Sequence, residues 1–482
     1  FRCLWTELKH SQVGFHSYTV CEPLQHIFNF CINNGRFPDI LKYAKVIPIH
    51  KKGNVSDFNN YRPISIRPVI SKAFEVLLNK QIKNYFESNF LLSKSQYGFR
   101  SGRNTINALI DFTKQCFDDL DGGKRVRSRF FDLTKAFDTV SHNILVNKLE
   151  IYGFNTLSVN LIKSYLTNRF QAVSLKDKIS DFRKVNHGVP QGSIVGPVLF
   201  IIYINDLPSS VCDECPSTYL FADDLAISLA DTSENLLVSK LDVITSKVIE
   251  WCDVNKLSLN NDKTVDLDYD LSRKSHDPDE GVKFLGIHLE PGLGWLSHVN
   301  CIVAKVSKSL FALRILRRTL GLSSLITAYY AFVHSHLNYG ILIWGNHPST
   351  GKLLILQKRA VRIIDGASSR CHSRPLFVKY SILTLPSMYV LSCVLYAKNN
   401  LGNFATNGDC HDHMTRNRNN LQIIKNKYTV IKNSFHSISI KLFNSLPSVV
   451  KHLPVNNFRA QLRSTLTANP LYKLDEFFDI VW

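Results

Sequence analysis

Two adjacent acids, Asp223 and Asp224, stand between two short apolar runs of the chain. The runs, 218–220 and 225–229, have the composition of β-strands, so the sequence predicts a hairpin with the acids at its tip. Neighbouring carboxylates repel each other, and at a mostly apolar turn that repulsion is poorly screened. A divalent cation would relieve it, although two acids at an ordinary solvated turn remain an alternative. The hairpin needs a second feature before it indicates a metal site.

A third acid, Asp132, supplies that feature. It follows the run 126–131, which has the pattern of a strand, and a helical pattern begins after it. Three carboxylates from a strand end and a hairpin tip offer the oxygen ligands that two Mg²⁺ ions use in phosphoryl or nucleotidyl transfer. We therefore expect Asp132, Asp223 and Asp224 to form a site for two Mg²⁺ ions.

Three segments carry a family resemblance. FDLTKAFDTV (131–140), GVPQGSIVGP (188–197) and FADD (221–224) resemble, in order and spacing, the polymerase motifs of non-LTR retrotransposon (LINE-type, jockey-like) reverse transcriptases. The resemblance implies an RNA-directed DNA polymerase whose partners are an RNA template, a DNA primer and dNTPs. Since the chain begins at Phe1 without the endonuclease that such elements carry upstream, we expect a fragment that copies RNA but does not nick a target.

The same resemblance implies an α+β fold of the right-hand polymerase type, with fingers, a palm built on an antiparallel sheet and a helical thumb. A mostly helical, basic C-terminal region, expected to bind nucleic acid, follows. The implied domains are an N-terminal helical extension (1–40), fingers and palm (41–291), thumb (292–365) and C-terminal region (366–482).

Six positions are implied to contact the incoming nucleotide. The basic segment after the first predicted strand would bind the triphosphate, since Lys supplies point charges and Arg a bidentate fork. A solvated Lys-Lys-Gly turn is the alternative for the two lysines. Phe137 resembles the aromatic steric gate that selects deoxynucleotides, and core packing is a compatible reading. The six positions are Lys51, Lys52, Arg62, Phe137, Gln191 and Gly192.

A further lysine and several nucleic-acid contacts follow from the resemblance. Lys263 stands where related polymerases place a lysine that can protonate the departing pyrophosphate, and an ordinary exposed lysine is the alternative. Arg100 and Arg103 precede a predicted helix and would meet the template strand, unless they form local ion pairs. The remaining predicted contacts are Phe284, Leu285 and Gly286 in a primer-grip segment, and Lys305 and Lys308 on a long thumb helix.

The charge of the chain is concentrated near its C-terminus. The net charge is +19, and residues 291–482 hold 23 Lys or Arg against 6 Asp or Glu. A polyanion is the natural partner of such a surface, and nucleic acid fits better than a membrane. A generally basic domain is the alternative.

The cysteines and the apolar runs bear on the compartment. Eleven Cys are scattered without a framework, and no signal peptide opens the chain. The longest apolar run, 198–204, is far shorter than the roughly 20 residues of a membrane span. We expect reduced thiols in the nucleus or cytoplasm, no secretion and no membrane partner.

Two other functions remain open from the sequence. An RNA-dependent RNA polymerase would share the acidic site, although Phe137 argues against it. An inactive or domesticated remnant that only binds RNA would share the basic C-terminal region, although the intact acids argue against decay.

Overall fold

The computed structural model describes residues 17–211, 216–271, 281–410, 417–423 and 425–482. The first of two compact units runs up to Ala108 and adds Arg129–Leu229 and Asn235–Val265. The second contains Leu109–Ser128, Ala230–Glu234 and Asp266–Trp482. Each unit combines segments that are distant in sequence. The bounds of the four predicted domains stay predictions.

The described strands form three sheets. They are β1 (Tyr43–His50), β2 (Tyr61–Ile66), β3 (Arg125–Asp132), β4 (Arg169–Leu175), β5 (Lys178–Ile179), β6 (Arg183–Val185), β7 (Ser217–Phe221), β8 (Asp224–Asp231), β9 (Val265–Tyr269), β10 (Val282–Phe284) and β11 (Ile287–Leu289). One sheet has the order β2-β1-β4-β5, with β6 also paired to β4; a second has the order β7-β8-β3-β9; and β10 pairs with β11. The pairing of β1 with β4 is parallel, whereas β1–β2 and β7–β8 are antiparallel.

Helices account for most of the remaining described chain. They are α1 (Ser17–Asn33), α2 (Val69–Ser88), α3 (Thr105–Asp121), α4 (Ala136–Thr139), α5 (His142–Ile151), α6 (Thr156–Leu166), α7 (Gly196–Tyr203), α8 (Leu207–Ser210), α9 (Glu234–Val254), α10 (Leu296–Leu316), α11 (Leu322–Tyr329), α12 (Ser335–Asn338), α13 (Ile341–Trp344), α14 (Gly351–Asp365), α15 (Arg374–Lys379), α16 (Leu385–Asn399), α17 (Asn407–Cys410), α18 (Thr429–Lys432), α19 (Phe435–Asn444), α20 (Ser448–Lys451) and α21 (Val455–Ala468). A π-helical turn, Tyr330–His334, joins α11 to α12. Sheets and helices together confirm the α+β class.

The core of the first unit is built around α7. Every residue from Val198 to Ile204 is fully buried. A helix with apolar side chains on all sides has no polar face to expose to solvent, so it packs in the interior. The apolar run that is too short to cross a membrane is therefore the centre of this core. Among the described residues, no helix has the length and apolarity to span a bilayer.

The second unit is mostly helical, as predicted for the C-terminal part of the chain. Helix α10 packs on α14, and α16 packs on α19 and α21. Lys305 and Lys308 stay exposed on α10, whereas Val306 and Leu310 are buried. This helix therefore has the predicted division into an apolar face and a basic face.

A buried ion pair between the residue after β2 and helix α2 also holds the loop before α7. Arg67 and Glu75, whose side chains are fully buried, form a salt bridge. Arg67 Nη2 donates a hydrogen bond to the Gly192 carbonyl at 2.9 Å, and Glu75 Oε2 accepts one from the Ile194 amide at 2.9 Å. The pair therefore fixes the backbone of the 190–194 loop.

Removing one partner of this pair should destabilise the first unit strongly. We expect Glu75→Gln to lower the free energy of unfolding by roughly 3–5 kcal/mol, because it leaves the Arg67 charge buried without its carboxylate. Urea unfolding followed by tryptophan fluorescence measures the change. Glu150→Gln, at an exposed position of α5, is the matched control, and its free energy of unfolding should equal that of the wild type. Equal stability of the two variants would contradict the structural role of the pair.

Candidate active site

The hairpin predicted around the paired acids is present. Phe221 lies opposite Asp224 in the β7–β8 register, so Ala222 and Asp223 form a two-residue loop. Ala222 has a φ of 56°, in the left-handed region that residues with a side chain seldom adopt. Such a conformation persists only where its surroundings hold it in place.

A buried glutamine holds this loop. Gln96 is completely buried, and its Oε1 accepts hydrogen bonds from the Gly98 amide at 2.7 Å and the Ala222 amide at 3.2 Å. A Cβ at Gly98 would lie 2.5 Å from the Ala222 nitrogen, so only glycine fits there. Sequence reasoning missed both supporting residues. The glycine was the available signal, because it often marks a close approach of two backbones, but it does not name the partner segment.

Asp132 ends β3, as predicted, and the chain after it is tied to the segment before Lys263. The Asn260 amide donates to the Asp132 carbonyl and the Thr134 amide to the Ser258 carbonyl, both at 2.8 Å. These bonds bring Lys263 Nζ to 2.9 Å from Asp132 Oδ2. The lysine predicted to protonate a leaving group therefore contacts one of the three predicted acids.

The three acids are close enough to perturb one another. Burial raises the pKa of Asp223, and the negative charge of Asp132 adds to this effect. Desolvation, followed by the charges of Asp223 and Asp132, raises the pKa of Asp224 to about 6. Negative charge is thus concentrated at this point of the first unit, and a bound cation would relieve it.

Most residues predicted to contact the nucleotide line one cavity of about 950 Å³. Lys52 is exposed and lies outside this lining, and Asp224 is also absent from it. The predicted site residues that line the cavity are Lys51, Arg62, Asp132, Phe137, Gln191, Gly192, Asp223 and Lys263. The fold therefore collects residues from five separate parts of the sequence.

Phe137 and Gln191 are each held by a neighbour. The Phe137 ring stacks on Phe200 with centroids 4.4 Å apart and remains partly exposed to the cavity. Gln191 Nε2 donates to Asp138 Oδ2 at 2.7 Å, which fixes the orientation of the amide group. Asp138 thus positions Gln191. The Ser65 amide also donates to the Gln191 carbonyl, at 3.0 Å.

The donor set suits a hard divalent cation, although it is not preassembled. Three carboxylates supply only oxygen, which Mg²⁺ prefers. Within the described ranges, no three His, Cys, Asp or Glu side chains already stand in metal-binding geometry. One oxygen of Asp132 contacts the Lys263 ammonium instead. A metal ion at this oxygen would therefore displace the Lys263 ammonium.

The two arginines predicted to meet the template are engaged locally. Arg100 Nε and Nη2 donate to the two oxygens of Glu87 at 3.1 and 2.7 Å. The Arg103 guanidinium lies 4.9 Å from the centre of the Tyr97 ring, and Arg103 Nη1 donates to the Lys94 carbonyl. Both arginines therefore support the loop, and their contact with a template stays a prediction.

The predicted primer-grip residues form a tight turn in the second unit. Leu285 and Gly286 have φ values of 44° and 84° between β10 and β11, and the Tyr339 hydroxyl donates to the Leu285 carbonyl at 2.5 Å. The Phe284 ring is buried, with its centroid 5.7 Å from that of Phe112. The contact of this turn with a primer stays a prediction.

The raised pKa of Asp224 predicts an unusual pH dependence of stability. The folded protein keeps this proton up to about pH 6, whereas the ordinary aspartate pKa is 3.8. The free energy of unfolding therefore falls as the pH rises from 3.8 to about 6. We expect Asp224→Asn to be more stable than the wild type at pH 7.5 and the difference to shrink toward pH 4.5. Urea unfolding without divalent cations tests this, with Asp253→Asn, at the exposed end of α9, as control. A stability difference that does not change with pH would contradict the assignment.

Comparisons with known proteins agree with the geometry. The family model described as reverse transcriptase (RNA-dependent DNA polymerase) matches residues 49–289. Two curated relatives from Drosophila melanogaster are the probable RNA-directed DNA polymerases from transposon X-element, 30% identical, and from transposon BS, 28% identical. Each alignment covers 70% of this chain, and 39% and 40% of the two relatives.

Another relative is the RNA-directed DNA polymerase from the mobile element jockey of Drosophila melanogaster, 26% identical over 71% of this chain and 39% of its own length. The solved structure of apo telomerase from Candida tropicalis aligns with a TM-score of 0.44 and 13% identity, over 77% of this chain and 67% of that chain. This chain thus spans about 40% of the length of these curated relatives. The predicted resemblance to non-LTR reverse transcriptases is confirmed, and the chain belongs to the reverse transcriptase (RNA-dependent DNA polymerase) family.

Proposed function

We propose that this chain is the polymerase part of a non-LTR retrotransposon protein and copies RNA into DNA from a primer 3′-hydroxyl. One observation carries the proposal: Asp132 and Asp223, far apart in sequence, line a single cavity together with the basic residues Lys51 and Arg62. Binding and transfer of a nucleoside triphosphate need acidic groups to hold the metal ions and basic groups to contact the phosphates. The curated relatives, named as RNA-directed DNA polymerases, support the same conclusion.

The acidic residues would bind two Mg²⁺ ions, which supply charge neutralisation for in-line attack at the α-phosphate. Asp132 and Asp223 would be the shared ligands, with Asp224 completing the cluster. Their oxygen donors and mutual repulsion support this assignment. Mg²⁺ is the hard cation that such carboxylates prefer.

The chain's own groups would orient the nucleotide and the leaving group. Lys51 and Arg62 would hold the triphosphate, and Gln191, fixed by Asp138, would present its amide oxygen to the nucleotide. Lys263, once released from Asp132, would donate a proton to the departing pyrophosphate. Each role uses a side chain that already faces the cavity.

The RNA template and the DNA primer would be held by basic surfaces. Lys305 and Lys308 stay exposed on α10, and residues 291–482 carry most of the net positive charge. Because phosphate contacts dominate such binding, affinity should fall steeply with salt.

Described cysteines such as Cys31, Cys252 and Cys393 are free thiols, which is consistent with a nuclear or cytoplasmic location.

Primer extension tests the proposed activity directly. On poly(rA)-oligo(dT) with Mg²⁺ and dTTP, the wild type should extend the primer. Asp223→Asn should lower the rate by roughly a hundredfold or more, because it removes a charge that stabilises the transition state. Asp253→Asn is the matched control and should retain the wild-type rate. If the wild type binds the template-primer but incorporates no nucleotide, the result would favour an inactive remnant that only binds RNA.

Nucleotide choice separates this function from an RNA-dependent RNA polymerase. If the Phe137 ring collides with a ribose 2′-hydroxyl, Phe137→Ala should reduce the preference for dNTP over NTP by roughly tenfold or more. Phe137→Tyr keeps the ring and should keep the preference. The ratio of kcat/KM for dTTP and UTP measures the effect. A wild type that prefers UTP would overturn the reverse transcriptase assignment.

A further inference from the structure

A second cavity of about 370 Å³ adjoins the nucleotide cavity within the first unit. The two cavities share Lys135, Asp138 and Gln191 among their lining residues. The second one extends toward β4 and the chain before the 190–194 loop, where Arg169 and His187 line it. The proposed polymerase chemistry uses none of the residues that are particular to this space.

Arg169 is the unusual residue of the second cavity. It is 4% exposed, its Nη1 donates to the Tyr165 carbonyl at 2.9 Å, and its guanidinium lies 4.8 Å from the centre of the Tyr165 ring. Its Nη2 is enclosed and has no hydrogen-bond partner in the part of the chain that the structure describes. A buried polar group in this state is costly unless a ligand or water satisfies it.

Comparison with Arg67 shows what Arg169 lacks. Both arginines are almost completely buried in the same unit, but Arg67 forms a salt bridge with Glu75. Across the described ranges, no carboxylate lies within salt-bridge distance of Arg169. The neighbouring ring and carbonyl offset only part of the cost of burying its charge. Arg169 therefore leaves a buried positive charge beside a cavity large enough for a small anion.

Apart from Arg169, the charged lining residues balance, since Lys135 is basic and Asp138 is acidic. Lys135 and His187 are exposed at the cavity, and Asp138 is its acidic lining residue. The Asp138 carboxylate accepts the hydrogen bond from Gln191, and Lys135 Nζ donates to Asn59 Oδ1 at 3.1 Å. Arg169 therefore gives the lining its net positive charge, and this favours an anion with several oxygen acceptors.

We propose that this second cavity is an oxyanion site that binds a phosphate group through Arg169. Guanidinium groups bind phosphate oxygens with paired hydrogen bonds. The unpartnered Nη2 would supply one of them once the Arg169 side chain shifts to bring this enclosed nitrogen into the cavity. The site depends on the geometry of this cavity and not on polymerase activity. If the chain polymerises DNA, the nearby sources of such a group are the departing pyrophosphate and a backbone phosphate of single-stranded template.

Binding of inorganic pyrophosphate in EDTA tests the site without any metal or catalysis. Calorimetry on the wild type should show saturable binding, and Arg169→Gln should weaken it by roughly tenfold or more. Arg183→Gln, at an exposed position of β6 outside the lining, is the matched control and should bind as the wild type does. Absence of binding by the wild type, or equal binding by Arg169→Gln, would overturn the proposal.

Two further variants locate the site and guard against misfolding. His187→Glu places an acid at an exposed lining position, so it should weaken binding by roughly tenfold through repulsion even if Arg169→Gln does not fold. Arg62→Gln removes an arginine that lines only the nucleotide cavity and should leave the His187-sensitive binding in place. Binding that depends on Arg62 and is insensitive to His187→Glu would place pyrophosphate in the first cavity and contradict the second site.

A short oligoribonucleotide in the same assay distinguishes the two sources. If the site takes a template phosphate, the oligoribonucleotide should compete with pyrophosphate, and if it takes the leaving group, pyrophosphate should bind without competition. Asp223→Asn should retain pyrophosphate binding while losing primer extension, so failure of the proposed function and failure of this site give different results. Loss of pyrophosphate binding in Asp223→Asn would contradict an independent site.

Discussion

Repulsion among three carboxylates is the constraint on which the candidate site depends. The β7–β8 hairpin places Asp223 and Asp224 side by side, and β3 delivers Asp132 close enough to raise the pKa values of both. Two supports keep the acids there: the buried amide of Gln96 holds the left-handed loop, and Lys263 offsets the charge of Asp132. The fold thus maintains an arrangement that is unfavourable without cations, and it needs cations for the proposed chemistry.

Two polar contacts hold the loops around the nucleotide cavity, the buried Arg67–Glu75 pair and the exposed Asp138–Gln191 hydrogen bond. The Arg67–Glu75 pair holds the backbone at Gly192 and Ile194, and Asp138 holds the amide of Gln191. Such contacts contribute less net stability than apolar packing of the same volume would. Their effect here is to fix loop positions that apolar packing alone would leave adjustable. These contacts place the 190–194 loop, which lies between the Asp132 and Asp223 segments in sequence, beside the cavity.

The sequence predicts the local parts of this site well and the long-range parts poorly. The hairpin, the strand that ends at Asp132 and the buried helix α7 each follow from periodicity within a few residues. The strands β4, β5 and β6 were not predicted. The parallel pairing of β4 with β1 joins distant segments and leaves no local pattern, but the antiparallel pairs β4–β5 and β4–β6 lie close together in sequence, so distance along the chain does not account for missing them. Gln96 and Arg169 were missed for a different reason: their importance comes from burial, which only the assembled fold reveals.

Iron-directed cleavage tests most directly whether Asp132 and the hairpin tip form one cation site. Fe²⁺ bound in place of Mg²⁺ generates hydroxyl radicals in the presence of ascorbate and peroxide, and these cut the backbone close to the metal. The account predicts cuts near both residue 132 and residues 223–224, which Mg²⁺ suppresses and Asp223→Asn abolishes. Cuts at only one of the two segments, or cuts that Mg²⁺ does not suppress, would contradict it.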